Sequence, residues 1–258
     1  AGETDLIVNV PASLAPLLDG SGSIDLRSVE SSRVIYIGIN TLKGGALADP
    51  RVGQAMNYAV DVDAIIQGVL SGAGVPTTTL LTEADFGYTD AVERFPFDPE
   101  RARELLAEAG ATDLSITVGT PNGRYVNDVQ VAQAVAAQLQ DVGIDANVEV
   151  SEYGAYVGAL FSGNAPDTYL IGWGNAPYDA DYVFWNLTVT DQLLSYYSNE
   201  RLDELVTLAR STFDRDVRAE AYAEAMQILT DAPAAIYLYK PIDLYGVSAR
   251  LADWQPRG

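Results

Sequence analysis

The 258-residue sequence contains no cysteine and no histidine. The lack of cysteine excludes disulfide bonds and thiolate chemistry, and the lack of histidine excludes imidazole-based acid–base schemes and histidine metal sites. Lysine and arginine together number 15, against 36 aspartates and glutamates, so the formal net charge is −21. Because such a charge repels polyanions, we expect neither nucleic acid nor an anionic membrane surface as a partner.

Long apolar runs are also missing from the sequence. No stretch of about 18 consecutive apolar residues occurs, which predicts that no helix spans a bilayer. The sequence starts at Ala1-Gly2-Glu3 without a basic segment and an apolar run, so we expect no signal peptide within it. Its 48% hydrophobic and 20% charged residues are typical of a globular protein. The length fits one large domain or two small ones.

Strand-like and helix-like segments alternate along most of the chain. Asp49-Pro50 and Asp98-Pro99 are typical helix starts, with aspartate at the N-cap and proline in the first helical position. Strand patterns occur at 6–10, 34–39, 114–118, 145–150, 169–172, 234–239 and 242–248. Pro241 is expected to separate the last two, and 71–97 to form a long loop. The β-α-β-α-β pattern from 114 to 171 predicts an α/β sheet covered by helices.

The segment WGNAPYDAD, from Trp173 to Asp181, follows the 169–172 strand. Ligands of α/β sheets gather beyond the carboxyl ends of strands, which makes this segment the first candidate site. Tryptophan and tyrosine offer flat apolar faces with a polar tip, and glycine permits close approach of a ligand to the backbone. The candidate ligand-binding residues here are Trp173, Gly174, Asn175, Tyr178, Asp179 and Asp181. The alternative is structural: Trp173 covers the core, and Asp181 caps the following helix.

Two further residues are candidates. Arg124 follows the 114–118 strand and shares an edge with the tryptophan segment if the strands are parallel. Its guanidinium could bind both oxygens of a ligand carboxylate, or it could form a structural ion pair in this acidic chain. Asn40, at the end of the 34–39 strand, is a candidate cleft or hinge residue.

Four segments, taken in order, resemble one known family. They are DPRVGQAMNYAVD at 49–61, FDPERARELLAEAG at 97–110, the stretch Ala132 to Ile144, and Gly172-Trp173-Gly174 followed by Asp179-Ala180-Asp181. Together they resemble the family 5 extracytoplasmic solute-binding proteins of ABC importers, which include dipeptide-, oligopeptide-, glutathione- and nickel-binding proteins. Gly53 departs from the family pattern, which usually has a second arginine there.

The resemblance implies an α/β fold, a periplasmic-binding-protein-like (class II) lobe with a mixed β-sheet flanked by helices. Since the family is about twice as long, the chain is similar to the C-terminal half of a two-lobed protein. The implied organisation is a segment of the other lobe at 1–33, the ligand-binding lobe at 34–232, and crossover strands returning to the other lobe at 233–258.

The implied function is capture of a peptide-like or other small solute in an inter-lobe cleft and its delivery to the permease subunits of an ABC importer. No catalysis, cofactor or metal is expected. The resemblance further implies a monomer in the periplasm, with a lipid anchor as an option. Peptide-binding relatives often carry an aspartate three residues after the tryptophan, which pairs with the ligand's α-ammonium, and that position is Ala176 here. Either the ligand lacks a free α-amine there, or another residue supplies the charge. The Asp-Ala-Asp arrangement is more similar to the glutathione-binding branch.

Two other functions remain open from the sequence. Asp179 and Asp181 could form the carboxylate pair of a hydrolase, which needs a separation of about 5–10 Å. The same residues could contribute to a calcium-binding structural module, although calcium needs about six to eight oxygen ligands and no later ligand is evident.

Overall fold

A computed structural model describes residues 4–19 and 24–256. Its strands are β1 (Leu6–Ile7), β2 (Ile24–Glu30), β3 (Arg33–Ile39), β4 (Gly74–Pro76), β5 (Ser115–Pro121), β6 (Asp145–Ser151), β7 (Thr168–Gly174) and β8 (Ala235–Ser248). Its helices are α1 (Ala15–Asp19), α2 (Pro50–Ala59), α3 (Val62–Gly68), α4 (Pro99–Glu108), α5 (Asp128–Asp141), α6 (Tyr153–Phe161), α7 (Ala180–Leu187), α8 (Glu200–Ser211) and α9 (Arg215–Asp231). In this part of the chain no helix is both long and apolar enough to cross a bilayer.

The central sheet has the order β6-β5-β7-β3-β8. Strand β5 runs parallel to both β6 and β7, whereas β3 runs antiparallel to β7 and to β8. The sheet is therefore mixed, as expected. Strands β1 and β2 pair instead with the second half of β8, and β4 pairs with its middle.

Side chains alternate between two cores on the two faces of this sheet, because successive strand residues point in opposite directions. Ile35 and Ile37 of β3, with Leu170 of β7, pack under α2, α3, α4 and α5 in the first core. Tyr36 and Tyr169 from the same strands pack under α7, α8 and α9 in the second core. The α/β class with helices on both faces is thus confirmed.

Helix starts follow the local sequence closely. The Asp49 carboxylate accepts the Arg51 N–H at 2.9 Å, and the Asp98 carboxylate accepts the Arg101 N–H at 2.9 Å. Each aspartate precedes a proline in the first turn. Both predicted caps are confirmed.

Strand β8 differs from the prediction, which placed two strands on either side of Pro241. It is continuous, and Pro241 lies where β8 exchanges one partner for another: Tyr239 pairs with Ile35 of β3, whereas Ile242 pairs with Glu30 of β2. The proline carbonyl still accepts the Ser31 N–H at 2.9 Å. The missing proline N–H therefore does not end the strand at this crossover, and the predicted break was wrong.

Two other local predictions also need correction. The strand expected at 6–10 has only the two paired residues of β1, and the loop expected at 71–97 contains β4. Strand β2 was not predicted, because its alternating polar residues carry a weak strand signal.

Candidate functional site

The carboxyl ends of β5 and β7 lie at one edge of the sheet, where β3 begins. The Tyr125 hydroxyl accepts the Gly172 N–H at 2.9 Å and lies 3.3 Å from the Gly172 carbonyl oxygen, which ties the loop after β5 to β7. Arg33 pairs with Gly174 in the neighbouring strand. The parallel pairing of β5 and β7 thus confirms that Arg124 and the tryptophan segment share an edge.

At this edge, however, Arg124 and Trp173 belong to opposite faces of the sheet. A Cβ atom at Gly172 would lie 2.6 Å from Cδ of Arg33 and 2.9 Å from Cε1 of Tyr125, so Gly172 faces the arginine side. Trp173, the next residue, packs against the second core, with its ring centroid 5.3 Å from that of Tyr182 in α7. Glycine at 172 lets the arginine and tyrosine side chains close over the strand.

The loop that carries Arg124 is held by one buried carboxylate. Asp128, 3% exposed, accepts N–H bonds from Gly123 at 3.1 Å, Arg124 at 2.8 Å, Tyr125 at 3.0 Å and Val129 at 2.9 Å. A carboxylate that satisfies several backbone donors fixes a loop firmly. The backbone under Arg124 is therefore positioned before any ligand arrives.

The Arg124 guanidinium lies 5.2 Å from the ring centroids of both Tyr125 and Tyr153. Its hydrogen bond with the Tyr153 hydroxyl raises the pKa of Arg124 above its usual value. No carboxylate in residues 4–19 or 24–256 lies within ion-pair distance of it. Within this part of the chain, the structural ion pair that the sequence left open does not form.

Arg124 lines a groove of about 410 Å³, which we call the arginine groove. Its other walls are Arg33, the segment 9–12 and the part of β8 from Tyr239 to Tyr245. This groove therefore lies between the loop after β5 and the crossover strand.

The tryptophan side of the edge is more enclosed than the side of the arginine groove. Strand β7 includes Trp173 and Gly174, so the loop predicted to start at Trp173 starts two residues later. Trp173 is half-buried, and its Nε1 is buried with no acceptor among the described residues. Asn175 is 2% exposed and donates from Nδ2 to Asp85 Oδ1 at 2.8 Å. Asn175 thus anchors the loop.

Asp85 was not identified from the sequence, because it lies in the irregular segment 71–97. Its Oδ2 accepts bonds from the Thr82 N–H at 2.7 Å and the Thr82 hydroxyl at 3.0 Å. Burial raises the pKa of Asp85, although the hydrogen bonds from Thr82 and Asn175 oppose the rise. It positions the tryptophan segment through Asn175.

The two aspartates of the Asp-Ala-Asp arrangement bind different arginines. Asp179 receives two bonds from Arg218 Nη2, at 2.7 and 2.9 Å, and its Oδ1 accepts the Asp181 N–H at 3.0 Å. Asp179, not Asp181, is therefore the cap of α7, and the predicted cap was wrong. Asp181 lies 3.2 Å from Arg210, and burial raises its pKa despite that neighbour.

These ion pairs bear on the two alternative functions. A hydrolytic pair would need both carboxylates directed at one substrate, whereas Asp179 and Asp181 are each engaged by a separate arginine. In the described part of the chain no three carboxylates cluster as a metal site would require. Direct ligand contact by either aspartate stays a prediction.

Among the candidate residues of the segment, Tyr178 and Gly174 are the exposed ones. Tyr178 is 39% exposed and adopts a left-handed φ of 52°, and its carbonyl accepts the Phe86 N–H at 2.9 Å. Gly174 ends β7 at the surface. Both are accessible to solvent at this edge of the sheet.

Asn40 lies at the opposite edge of the sheet. It follows Ile39, which pairs with Thr168 at the start of β7, and it is 4% exposed. Its N–H donates to the Asp167 carbonyl at 2.9 Å, and it lines a separate cavity of about 660 Å³. The antiparallel direction of β3 therefore removes Asn40 from the predicted site.

The fold and the groove at the strand ends define a lobe of a periplasmic binding protein. The family model "Bacterial extracellular solute-binding proteins, family 5 Middle" matches residues 1–193. The chain belongs to this family, as the sequence motifs indicated.

Two curated relatives illustrate the similarity. The dipeptide-binding protein of Escherichia coli K12 is 32% identical over 244 residues, which cover 90% of this chain and 45% of that protein. Heme-binding protein A of Haemophilus influenzae is 28% identical over 247 residues, which cover 89% of this chain and 43% of that protein. The chain thus spans about half the length of the curated relatives it matches.

A solved structure gives the same picture of the fold. The oligopeptide-binding protein AppA of Bacillus subtilis, solved in complex with a nonapeptide, superimposes with a TM-score of 0.87 at 22% identity. The match covers 99% of this chain and 54% of AppA. The periplasmic-binding-protein fold is therefore confirmed.

Proposed function

We propose that this chain forms one lobe of the substrate-binding component of an ABC importer. The lobe captures a peptide-like or other small solute against a second lobe, and the closed protein delivers it to the permease subunits. The observation that carries the proposal is Arg124: a guanidinium without a carboxylate partner, on a loop fixed by Asp128, facing the arginine groove. Family membership supplies the transport context.

Arg124 would anchor an anionic group of the solute, because its planar fork binds both oxygens of a carboxylate. The rings of Tyr125 and Tyr153 hold the guanidinium in place. A charge-assisted hydrogen bond of this kind contributes about 1.5–3 kcal/mol, or roughly ten- to a hundredfold in affinity. Trp173, Gly174, Asn175, Tyr178, Asp179 and Asp181 would form the adjoining part of the binding edge, around the end of β7 from the arginine groove.

The proposed lobe comprises 34–232, with 1–33 as a segment of the other lobe and 233–258 as crossover strands that return toward it. Support comes from the pairing of β1 and β2 with the second half of β8 rather than with β3, β5, β6 or β7. Strand β8 would then be a crossover, with Pro241 at the point where it leaves the lobe. Asn40, at the far edge, takes no part in binding in this scheme.

Capture would proceed without catalysis, cofactor or metal, as in a binding protein that only closes on its solute. We place the full-length protein in the periplasm as a monomer outside its membrane partner, with a lipid anchor as an option. The relatives are named as binding proteins, and the family description is extracellular.

The test is Arg124→Gln in the full-length gene product, with calorimetric titration of Ala-Ala, Gly-Glu and glutathione. We expect at least one probe to bind the wild type, and the substitution to weaken that binding tenfold or more while the melting temperature stays within about 2 °C. Arg103→Gln is the matched control, since Arg103 also lacks a carboxylate partner but donates to the Asp141 carbonyl on the outer surface. Equal affinity of wild type and Arg124→Gln, or cleavage of a bound peptide seen by mass spectrometry, would contradict the proposal.

A further inference from the structure

The basic residues of the described chain fall into two groups. Most form ion pairs with aspartate or glutamate, as expected where acidic residues outnumber basic ones more than twofold. The arginines of residues 4–19 and 24–256 without such a pair are Arg33, Arg103, Arg124 and Arg215. The arginines without a carboxylate are thus a minority in this part of the chain.

Other contacts account for two of these arginines. Arg103 donates to the Asp141 carbonyl at 3.0 Å, and Arg215 lies over the Phe86 ring at 4.3 Å from its centroid. Arg33 and Arg124 remain, and both line the arginine groove. Two guanidiniums without carboxylates therefore coincide in one concave surface.

Tyr125 lies between the two guanidinium-bearing side chains. Arg124 lies 5.2 Å from its ring centroid, while Arg33 Cδ and Tyr125 Cε1 both close over Gly172. Like charges that share a groove repel each other, and no carboxylate of the described chain forms an ion pair with either one. Such an arrangement is unfavourable for the empty protein and becomes favourable when an anion enters.

Among the described residues that line this groove, one is acidic and forms no ion pair. Asp243 of β8 lines it on the crossover side, two residues from Tyr245. The groove therefore presents two positive charges and one negative charge. The complementary solute carries two anionic groups and one cationic group.

We propose, on the basis of the function proposed above, that the arginine groove selects a small acidic solute with two carboxylate groups. Arg124 binds one carboxylate, Arg33 binds the second, and Asp243 receives an ammonium group. Arg33 is thus the specificity-determining residue that separates acidic from neutral solutes of the same size.

The test compares two dipeptides that differ by one charge, Gly-Glu and Gly-Gln, in calorimetric titrations of the full-length protein. We expect Gly-Glu to bind at least tenfold more tightly than Gly-Gln. Arg33→Gln should remove this preference by weakening Gly-Glu and leaving Gly-Gln unchanged, whereas Arg103→Gln should preserve it. Asp243→Asn should weaken Gly-Glu but not glutarate, which has two carboxylates and no ammonium group.

A ligand-independent measurement separates binding from a structural role. Without ligand at low salt, Arg33→Gln should melt at the same temperature as the wild type or higher, because it removes a repulsion. A drop of several degrees would overturn the inference, since Arg33 would then stabilise the fold.

The outcomes also distinguish this inference from the proposed function. If Gly-Gln binds as tightly as Gly-Glu, or if Arg33→Gln weakens both equally, the selectivity proposed here is overturned and the transport function stands. If Gly-Glu, Gly-Gln, Ala-Ala and glutathione all fail to bind the wild type, both proposals are contradicted.

Discussion

The two faces of one sheet edge use arginine in opposite ways. On the face of the second core, Arg218 and Arg210 neutralise Asp179 and Asp181 and fix the start of α7. On the other face, Arg124 lies in the arginine groove, and no carboxylate of residues 4–19 and 24–256 pairs with it. The faces are only one residue apart along β7, at Gly172 and Trp173.

This contrast separates structural charges from charges available to a ligand. A paired, half-buried carboxylate and guanidinium satisfy each other, so their removal should mainly affect folding. An unpaired guanidinium on a fixed loop should mainly affect binding. The following substitutions test this division.

Asp128→Ala should have the largest effect, because it acts on both stability and binding. The substitution leaves four backbone N–H groups without their acceptor, at a cost of about 4 kcal/mol in the free energy of unfolding. Binding should fall as well, since the loop beneath Arg124 is released. Urea unfolding and titration of the same samples measure both effects. Asp98→Ala, which removes a single cap bond, should cost less, and equal losses in the two variants would contradict this role.

Arg218→Gln should destabilise the protein without affecting the groove. It leaves Asp179 without its partner in a pair whose side chains are only 20% and 26% exposed, at a cost of about 2 kcal/mol. Arg201→Gln removes a pair on the exposed surface and should change the melting temperature very little. A tenfold loss of ligand affinity in Arg218→Gln, with stability intact, would show that the second-core face binds the solute.

Local sequence patterns predicted much of the frame of this site. The caps at Asp49 and Asp98, the strands that became β3, β5, β6 and β7, and the shared edge of β5 and β7 all follow from residues close together in the chain. The family motifs added the periplasmic-binding-protein fold class. These features depend on hydrogen bonds and side-chain periodicity within a few residues.

The missed features depend on contacts between distant residues. Asp179 and Arg218 are 39 positions apart, and Asp85 and Asn175 are 90 apart, so no local pattern predicts that they meet. Asn40 lies at the opposite edge of the sheet from Arg124 because β3 runs antiparallel to β7. The sequence alone does not fix that strand direction. The break predicted at Pro241 does not occur, because a missing N–H ends a strand only where a partner carbonyl needs that donor, and Pro241 lies where β8 changes partners.

Trp173→Ala should have an intermediate effect on stability. The ring is half-buried against the second core and stacks beside Tyr182, so its loss should cost about 1.5 kcal/mol, less than for a fully buried tryptophan. If the ring also supports the solute, affinity should fall at least tenfold. Leu208→Ala, at an exposed apolar position, serves as the control for thermal unfolding. An unchanged melting temperature in Trp173→Ala would contradict the packing described here.

The smallest effect should appear in the pH dependence of Asp85. Burial raises the pKa of Asp85 in the folded protein above its ordinary value of 3.8. At a pH between the unfolded-state pKa and the folded-state pKa, the folded protein therefore keeps a proton on Asp85 that the unfolded chain has released. The contribution of Asp85 to the free energy of unfolding must then fall as pH rises through that interval, and grow as pH falls. When the pH is lowered from about 7 to about 4, the wild type should gain stability relative to Asp85→Asn, as measured by urea unfolding at both pH values. If the wild type instead lost stability relative to Asp85→Asn on acidification, its hydrogen bonds would outweigh burial, and Asp85 would act on the tryptophan segment as a charged anchor.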